Sequence, residues 1–250
     1  MQLLVSVRAV GEVGPALGGG ADIIDAKEPA HGSLGAVSPE AMRAISGRVP
    51  AAVPFSVALG DFTSPVAVRR ALARVRLPGR GAPIYLKLGF AGQRSDFVLA
   101  SILAAALETA APLGADHIVV PVAYADHGSG HSPLPEDLLH LAITAGARAF
   151  LVDTCLKDGR SLLDWLSLDR LSSLSAGARS AGLLFAAAGS LDLTSLGHLR
   201  DIADVVGVRG AACRGGREGW VDSLLVRRIR ERLDAEAAAP IGRTRGPSPG

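Results

Sequence analysis

Short apolar runs rich in valine, isoleucine and leucine recur along the chain and alternate with longer stretches of helical pattern. The runs lie at residues 3–7, 22–26, 55–59, 84–88, 117–122, 150–154, 183–188 and 205–208. Strands that are apolar on both faces and alternate with helices are typical of a parallel sheet. Eight such units in a chain of this length favour a closed (β/α)₈ barrel over an open doubly wound sheet. The sequence therefore predicts an α/β protein built as a single barrel.

Helices are predicted between and after these runs, at residues 39–46, 65–76, 95–111, 133–146, 162–181, 193–202 and 217–239. Ser38-Pro39, Ser64-Pro65 and Ser132-Pro133 each combine a capping hydroxyl with a proline, which favours a helix N-terminus. The first interval, residues 11–17, is a poor helix former because it contains two glycines and a proline. We expect a short or irregular helix there.

The pattern ends before the C-terminus, where residues 237–250 are rich in proline and glycine. We predict a barrel domain at residues 1–236, followed by a disordered tail at residues 237–250. No G-x-G-x-x-G sequence follows the first strand, which argues against a dinucleotide-binding fold. We expect no cofactor.

Composition narrows the class of protein. Hydrophobic residues make up 48% of the chain and charged residues 20%, so a large core can form and disorder is excluded. The net charge of +2 is too balanced for a nucleic-acid-binding surface. The apolar start is too short for a signal peptide. No run approaches the ~18 apolar residues of a membrane span, and the two cysteines lack a disulfide or zinc spacing. We expect a cytoplasmic protein that binds neither nucleic acid nor membrane.

Lysine is scarce in this chain, since only three of its 26 basic residues are lysine and the other 23 are arginine. The three are Lys27, Lys87 and Lys157. They lie at or just after the ends of the second, fourth and sixth predicted strands, on the barrel face that carries chemistry in this fold. Each lysine could be a solvated surface residue. Because the chain otherwise uses arginine, however, the retention of three lysines favours a role that a guanidinium cannot fill.

Side-chain alternation places carboxylates beside these lysines. Asp25 and Lys27 share one face of the second strand, whose other face is apolar, so both should point into the barrel. Lys87 points inward from the fourth strand and Asp153 from the sixth, with Lys157 four residues later. Alternatively, Asp25–Lys27 and Asp153–Lys157 are ion pairs that only stabilise the strand ends.

Lysine differs from arginine in that it can lose its proton and attack a carbonyl. A free lysine has a pKa of about 10.4, so nucleophilic attack near neutral pH requires a decrease of about 3 units. Neighbouring ammonium groups and partial desolvation both act in that direction, while the carboxylates suit proton transfer. The pattern predicts a Schiff base with an aldehyde or ketone, with catalytic residues Lys27, Lys87, Lys157, Asp25 and Asp153.

The loops after the seventh and eighth strands occupy the usual phosphate site of this fold. The predicted phosphate-binding residues there are Gly189, Ser190, Arg209, Gly210 and Ala211. Arg209 would supply a bidentate contact. Residues 32–36 could hold a second phosphate through Ser33. Each glycine-rich turn could instead serve only to reach a positive φ. A small sugar phosphate is the expected substrate.

Three further polar residues follow predicted strands. Asp61 comes after the third strand, and Asp126 and His127 come after the fifth. They could line the barrel mouth or exchange protons. No third ligand accompanies Asp126 and His127, so we predict no metal site.

Eight blocks of the sequence resemble the (5-formylfuran-3-yl)methyl phosphate synthases of methanofuran biosynthesis. The blocks are residues 3–8 (LLVSVR), 20–29 (GADIIDAKEP), 32–36 (GSLGA), 87–89 (KLG), 124–126 (YAD), 153–159 (DTCLKDG), 188–191 (AGSL) and 207–213 (GVRGAAC). The resemblance extends from about residue 3 to about residue 235. The sequence departs from the family at Gly14-Pro15 and in the tail, neither of which lies at the predicted mouth.

The resemblance implies a barrel lyase that condenses two glyceraldehyde 3-phosphate molecules into a furan aldehyde phosphate, with loss of one phosphate and two waters. It also implies catalytic roles for the three lysines, Asp25 and Asp153. Among the lysines we favour Lys27 as the Schiff-base residue, with Lys87 and Lys157 tuning its pKa and moving protons.

Other functions fit parts of the pattern. A class I aldolase or an isomerase acting on triose phosphates would keep both phosphates. A non-catalytic barrel would use the lysines only to bind a sugar phosphate. The sequence leaves open whether the protein forms a homo-oligomer and which C1 carrier the product enters.

Overall fold

The computed structural model describes residues 1–77 and 81–235. Its eight parallel strands close into a barrel in which each strand pairs with the next and β8 pairs with β1. The strands are β1 (Gln2–Val7), β2 (Ile23–Ala26), β3 (Phe55–Asp61), β4 (Ile84–Gly89), β5 (His117–Tyr124), β6 (Ala149–Asp153), β7 (Leu184–Ala187) and β8 (Val205–Val208). All eight predicted strands and the predicted (β/α)₈, or TIM-barrel, architecture are confirmed.

Helices follow the barrel strands. They are α1 (Val13–Gly18), α2 (Pro39–Arg48), α3 (Pro65–Leu72), α4 (Asp96–Ala110), α5 (Pro135–Thr144), α6 (Leu168–Ser180), α7 (Leu193–His198) and α8 (Ser223–Ala235). A hairpin of two short antiparallel strands, β9 (Cys213–Arg214) and β10 (Trp220–Val221), lies between β8 and α8.

Alternation along the strands separates two apolar clusters. Ile24 belongs to the cluster that the helices cover, whereas the adjacent Ile23 belongs to the cluster inside the barrel. Several inward positions are small, including Ser6, Ser56 and Gly207, and they line a cavity in the barrel. The interior therefore has space for a ligand.

Two of the three predicted serine caps are confirmed. Ser38 and Ser64 accept hydrogen bonds from backbone N–H groups in the first turns of α2 and α3. The Ser132 prediction is wrong, because α5 begins at Pro135 and its N-cap residue is Leu134. Helix α1 is short and is preceded by a 3₁₀ turn, as its composition predicts.

The helix predicted at residues 162–181 is interrupted. A 3₁₀ turn covers Leu162–Asp164, and α6 begins at Leu168, because the Ser167 side chain accepts the Arg170 N–H and caps a new helix there.

The start of the helix predicted at residues 217–239 is also wrong. Gly215 and Gly216 have positive φ angles and turn the chain into the β9–β10 hairpin. Asp222 then accepts the N–H groups of Leu224 and Leu225 at the start of α8. The predicted boundary at residue 236 and the tail at 237–250 lie outside the described residues.

Helix α4 and the turn after it, Asp96–Leu113, are long and apolar enough to span a membrane by length and composition, contrary to the sequence-based expectation. In the structure this helix lies between β4 and β5 and packs against α3 and β5. Leu99, Ile102 and Leu103 are fully buried there. Its apolar character therefore serves packing in the outer layer of the barrel.

Candidate active site

A cavity of about 310 Å³ lies within the barrel and reaches the loops that follow the strands. Nine of the predicted site residues line it: Lys27, Lys87, Lys157, Asp153, Gly189, Ser190, Arg209, Gly210 and Ala211. Asp25 is fully buried on β2, two residues before Lys27. The structure thus brings the three lysines together, as their positions on alternate strands predict.

Asp25 is paired with Lys87. The Lys87 Nζ atom lies 2.7 Å from Asp25 Oδ1, and Ser6 Oγ donates to Asp25 Oδ2 at 2.7 Å. Burial raises the pKa of Asp25, but the charges of Lys87 and Lys27 outweigh it, so the pKa lies below its ordinary value. Asp25 is therefore an ionised carboxylate inside the barrel.

In the alternative interpretation Asp25 forms an ion pair with Lys27, but its partner in the structure is Lys87. Strand β3 lies between β2 and β4, and its inward residues Ser56 and Ala58 stand beside Asp25 and Lys87 in the register. Because both are small, the Lys87 side chain can reach across β3 to Asp25.

The Asp153–Lys157 contact of the alternative interpretation is present in the structure. Lys157 Nζ lies 2.9 Å from Asp153 Oδ1 and 2.9 Å from Thr154 Oγ1. Burial raises the pKa of Asp153, but the nearby Lys157 and Lys27 charges lower it by more. The pKa therefore lies well below its usual range. Asp153 therefore stays ionised beside Lys157 and Lys27.

Lys27 is the lysine without a partner. Its side chain is buried, and within residues 1–77 and 81–235 its Nζ atom forms no hydrogen bond or ion pair. Burial lowers the pKa of Lys27 to about 7; Asp153 opposes this decrease and Lys87 adds to it. Lys27 thus combines position in the cavity with an amine that is about half deprotonated at pH 7.

The prediction that the Arg209 guanidinium binds a phosphate is wrong. Its five N–H groups all have protein acceptors: the Glu12 carboxylate, at 2.9 and 3.1 Å, and the carbonyl oxygens of Ser6, Arg217 and Gly219. Both members of the Arg209–Glu12 pair are buried. Arg209 therefore joins the loops after β1 and β8.

The loops after β7 and β8 present free backbone N–H groups. In the part of the chain that the structure describes, the N–H groups of Gly189, Ser190, Gly210 and Ala211 have no acceptor. Gly189 has φ 116° and Ser190 has φ 50°, so the first loop adopts positive φ at two successive residues. Successive N–H groups in such a turn form a concave site for an anion. This arrangement fits the predicted phosphate site.

Arg217 is a cavity residue that the sequence analysis missed. It lies between β9 and β10, lines the cavity and is half-buried. Its Nη2 atom donates to the carbonyl oxygens of Pro29 and Gly32 at 3.0 and 2.6 Å. The sequence pattern predicts a helix that begins at Arg217, and this gives no signal that the side chain lies at the barrel mouth.

Ser33 lies away from the cavity lining. Its hydroxyl contacts Asp153 Oδ2 at 3.1 Å and the Thr154 carbonyl oxygen at 2.7 Å. The hydroxyl thus supports a carboxylate, and the structure does not present it to a phosphate.

The other predicted mouth residues contact neighbouring loops. Asp61 accepts from Tyr124 Oη at 2.8 Å. Asp126 is buried and accepts from the N–H groups of Cys155 and Leu156 at 2.6 and 2.7 Å, which fixes the loop before Lys157. His127 is absent from the cavity lining, as are both aspartates. No group of three or more His, Cys, Asp or Glu side chains that could hold a metal occurs among the described residues.

Ser6 and Ser56 are further polar residues in the cavity lining. Ser6 binds Asp25, whereas the Ser56 hydroxyl is buried without a hydrogen-bond partner in the described residues. A serine within an otherwise apolar strand was the signal that could have identified them.

Comparison with known proteins agrees with the geometry. The pattern of the 4-HFC-P synthase family matches residues 3–230. The chain is 36% identical over 239 residues to the (5-formylfuran-3-yl)methyl phosphate synthase of Methanothermobacter thermautotrophicus, covering 94% of this chain and 100% of that protein. It is 37% identical over 236 residues to the enzyme of the same name from Methanopyrus kandleri, covering 93% and 98%.

Among solved structures, N-(5'-phosphoribosyl)anthranilate isomerase from Pyrococcus furiosus superposes with a TM-score of 0.60 at 14% identity, covering 94% of this chain and 99% of that one. This likeness concerns the fold alone. The family match and the two relatives extend over nearly the whole barrel, and the relatives are named synthases. The chain belongs to the 4-HFC-P synthase family of enzymes.

Proposed function

We propose that this enzyme condenses two glyceraldehyde 3-phosphate molecules into (5-formylfuran-3-yl)methyl phosphate through a Schiff base on Lys27. The product is the one in the names of its relatives. The reaction would be a lyase step of methanofuran-type cofactor biosynthesis, carried out in the cytoplasm.

The proposed reaction balances without an oxidant or reductant. Two triose phosphates supply six carbons and two phosphates, and the product retains six carbons and one phosphate. One phosphate and two waters leave. The protein therefore has to supply an electron sink, proton transfer and phosphate binding, and no redox group.

The observation that carries the proposal is the state of Lys27. An amine with a pKa of about 7 is half deprotonated at pH 7. An ordinary lysine has roughly one free amine in a few thousand at that pH, so the fraction of nucleophile rises roughly 1,000-fold. Its attack on an aldehyde gives a carbinolamine, and loss of water gives the protonated imine, which withdraws electrons from the adjacent carbon.

The two ion pairs supply proton transfer on either side of Lys27. Lys87 and Lys157 are donors for the hydroxyl that leaves the carbinolamine, and Asp25 and Asp153 are acceptors for the proton of the carbon next to the imine. Each lysine also keeps its carboxylate ionised and in place. The free N–H groups of Gly189, Ser190, Gly210 and Ala211 would bind a phosphate.

Reductive trapping tests the Schiff base. Incubation with glyceraldehyde 3-phosphate and borohydride should add a reduced triose adduct to the peptide containing Lys27, as read by mass spectrometry. Lys27→Arg should abolish the adduct and turnover, because a guanidinium stays protonated. Absence of an adduct on any lysine, or full activity of Lys27→Arg, would refute the imine on Lys27.

Phosphate release separates this reaction from that of an aldolase or isomerase. The proposal requires one inorganic phosphate for every two glyceraldehyde 3-phosphate molecules consumed. An aldolase or isomerase would consume substrate and release none, and a non-catalytic barrel would consume no substrate.

A further inference from the structure

The backbone that carries Arg217 is fixed by buried contacts. Arg209 donates to the carbonyl oxygens of Arg217 and Gly219, at 2.9 and 2.8 Å. Glu12, which pairs with Arg209, also accepts the Val221 N–H at 3.2 Å. The β9–β10 hairpin is therefore attached to a buried ion pair at Arg217, Gly219 and Val221, and Arg217 has a defined position at the cavity.

The guanidinium of Arg217 is only partly engaged. Its Nη2 atom binds the Pro29 and Gly32 carbonyl oxygens in the loop after β2. No hydrogen bond from its Nε or Nη1 atoms occurs among the described residues. Burial lowers the pKa of this guanidinium, so its charge is partly removed from water. An arginine with free donors in a partly desolvated cavity is suited to a bidentate anion contact.

Arg217 also differs from the lysines in its charge balance. Lys87 and Lys157 are each paired with an aspartate, and Lys27 is half neutral at pH 7. Within the described residues Arg217 forms no ion pair. It is therefore the permanent cation of the cavity lining whose charge is least compensated.

This inference rests on the proposed function, the condensation of two glyceraldehyde 3-phosphate molecules. That reaction brings two phosphates to the cavity and releases one. The backbone amides of the loops after β7 and β8 can bind one phosphate without a charged side chain. Arg217 lies toward the loop after β2, the loop that begins with Lys27. We propose that Arg217 binds the second phosphate, the one that leaves, while the backbone amides hold the phosphate that the product retains.

The chemistry of the leaving step explains why a guanidinium belongs there. Loss of a proton from the carbon next to the imine, to Asp153, gives an enamine. The enamine electrons then form a double bond to the following carbon, whose C–O bond breaks. Both electrons of that C–O bond leave with the phosphate oxygen, and the nitrogen lone pair restores the imine. A cation placed at that oxygen stabilises the charge that develops on it.

Substitution of Arg217 tests this assignment. Wild-type protein should bind two equivalents of orthophosphate in isothermal titration calorimetry, and Arg217→Met should bind one. Phosphate release from glyceraldehyde 3-phosphate should fall at least roughly 100-fold in Arg217→Met, as for loss of a preorganised transition-state donor. The borohydride adduct on Lys27 should persist. Arg214→Met, which removes an exposed arginine from the same hairpin, is the matched control and should behave as wild type.

Arg217→Lys keeps the positive charge but loses the paired N–H donors of the guanidinium. It tests the proposal if the methionine variant fails to fold. It should bind the second orthophosphate at least roughly 10-fold more weakly. Unchanged orthophosphate stoichiometry and affinity in both variants would overturn the proposal, even if turnover fell, because the role would then be structural. If wild type released no phosphate from the triose but Arg217→Met still lost one bound orthophosphate, the anion site would stand and the condensation would not.

Discussion

Lys87 on β4 reaches across β3 to place its Nζ atom 2.7 Å from Asp25 Oδ1 on β2, where both side chains are buried. Through this contact Asp25 is neutralised by Lys87, and Lys27 on the same strand is left without a partner. The unpaired state of the proposed nucleophile thus depends on a lysine two strands away.

Breaking this pair should destabilise the fold. Asp25→Asn leaves the Lys87 ammonium buried without its carboxylate, and we expect a loss of about 3–5 kcal/mol in the free energy of unfolding. Lys87→Met should cost less, because Lys27 still faces Asp25. Urea denaturation at pH 7 measures both.

The exposed Arg170–Glu136 pair provides the comparison for this prediction. Glu136→Gln should cost no more than about 1 kcal/mol, because water already screens that pair. Equal losses for Asp25→Asn and Glu136→Gln would contradict the buried-pair interpretation.

The pKa of Lys27 should respond in opposite directions to its two types of neighbour. Asp153→Asn removes the carboxylate that raises the pKa of Lys27 and should lower it below about 7. Lys157→Gln removes a repelling ammonium and should raise it. The pH dependence of Lys27 acylation by an amine-reactive reagent, read on its peptide by mass spectrometry, reports the pKa independently of turnover. Shifts of the same sign in both variants would disprove this electrostatic account.

Lys27 should make the stability of the protein depend on pH. Its pKa is about 7 in the folded protein and about 10.5 when unfolded. Between these values the unfolded chain binds more protons, so stability rises with pH. At pH 6 the folded protein carries nearly the full cost of a buried ammonium, and by pH 9 roughly 3 kcal/mol of that cost is removed.

Lys27→Met lacks this dependence and isolates it. The stability advantage of the variant over wild type, measured by urea denaturation, should be larger at pH 6 than at pH 9 by roughly 3 kcal/mol. An advantage that is constant, or that grows with pH, would show that burial does not set the pKa of Lys27.

Much of this site follows from local patterns. The strands were predictable because both of their faces are apolar, as at Ile23 and Ile24. The clustering of the lysines was predictable because the strand ends of a barrel meet at one face. The role of Arg209 was not predictable, because two of the residues that accept from its guanidinium, Ser6 and Glu12, come from the opposite end of the chain. Local sequence determines which residues reach the mouth, whereas cross-barrel contacts determine which charges remain free.

The β9–β10 hairpin shows the same limit at a smaller scale. Its strands have two residues each, too few for an alternating pattern to emerge, and the following α8 sequence extended the predicted helix back to Arg217. The hairpin is held by Arg209 and Glu12, so its existence depends on tertiary contacts.

Gly189 offers a test of the backbone phosphate site. At φ 116° an alanine is strained, and its Cβ would lie 3.0 Å from Thr154 Cγ2 and 3.2 Å from the Thr154 nitrogen. Gly189→Ala should therefore cost about 1–3 kcal/mol in stability. It should also weaken orthophosphate binding, because the N–H groups of the loop must move; calorimetry of the folded variant measures this.

Gly159→Ala separates strain from displacement. Gly159 has φ 99°, and a Cβ there meets nothing within 4 Å. It should show the conformational cost while orthophosphate binding stays as in wild type. If Gly189→Ala lost stability to the same degree but bound orthophosphate normally, the amides after β7 would not be the phosphate site, and the retained phosphate would have to bind elsewhere in the cavity.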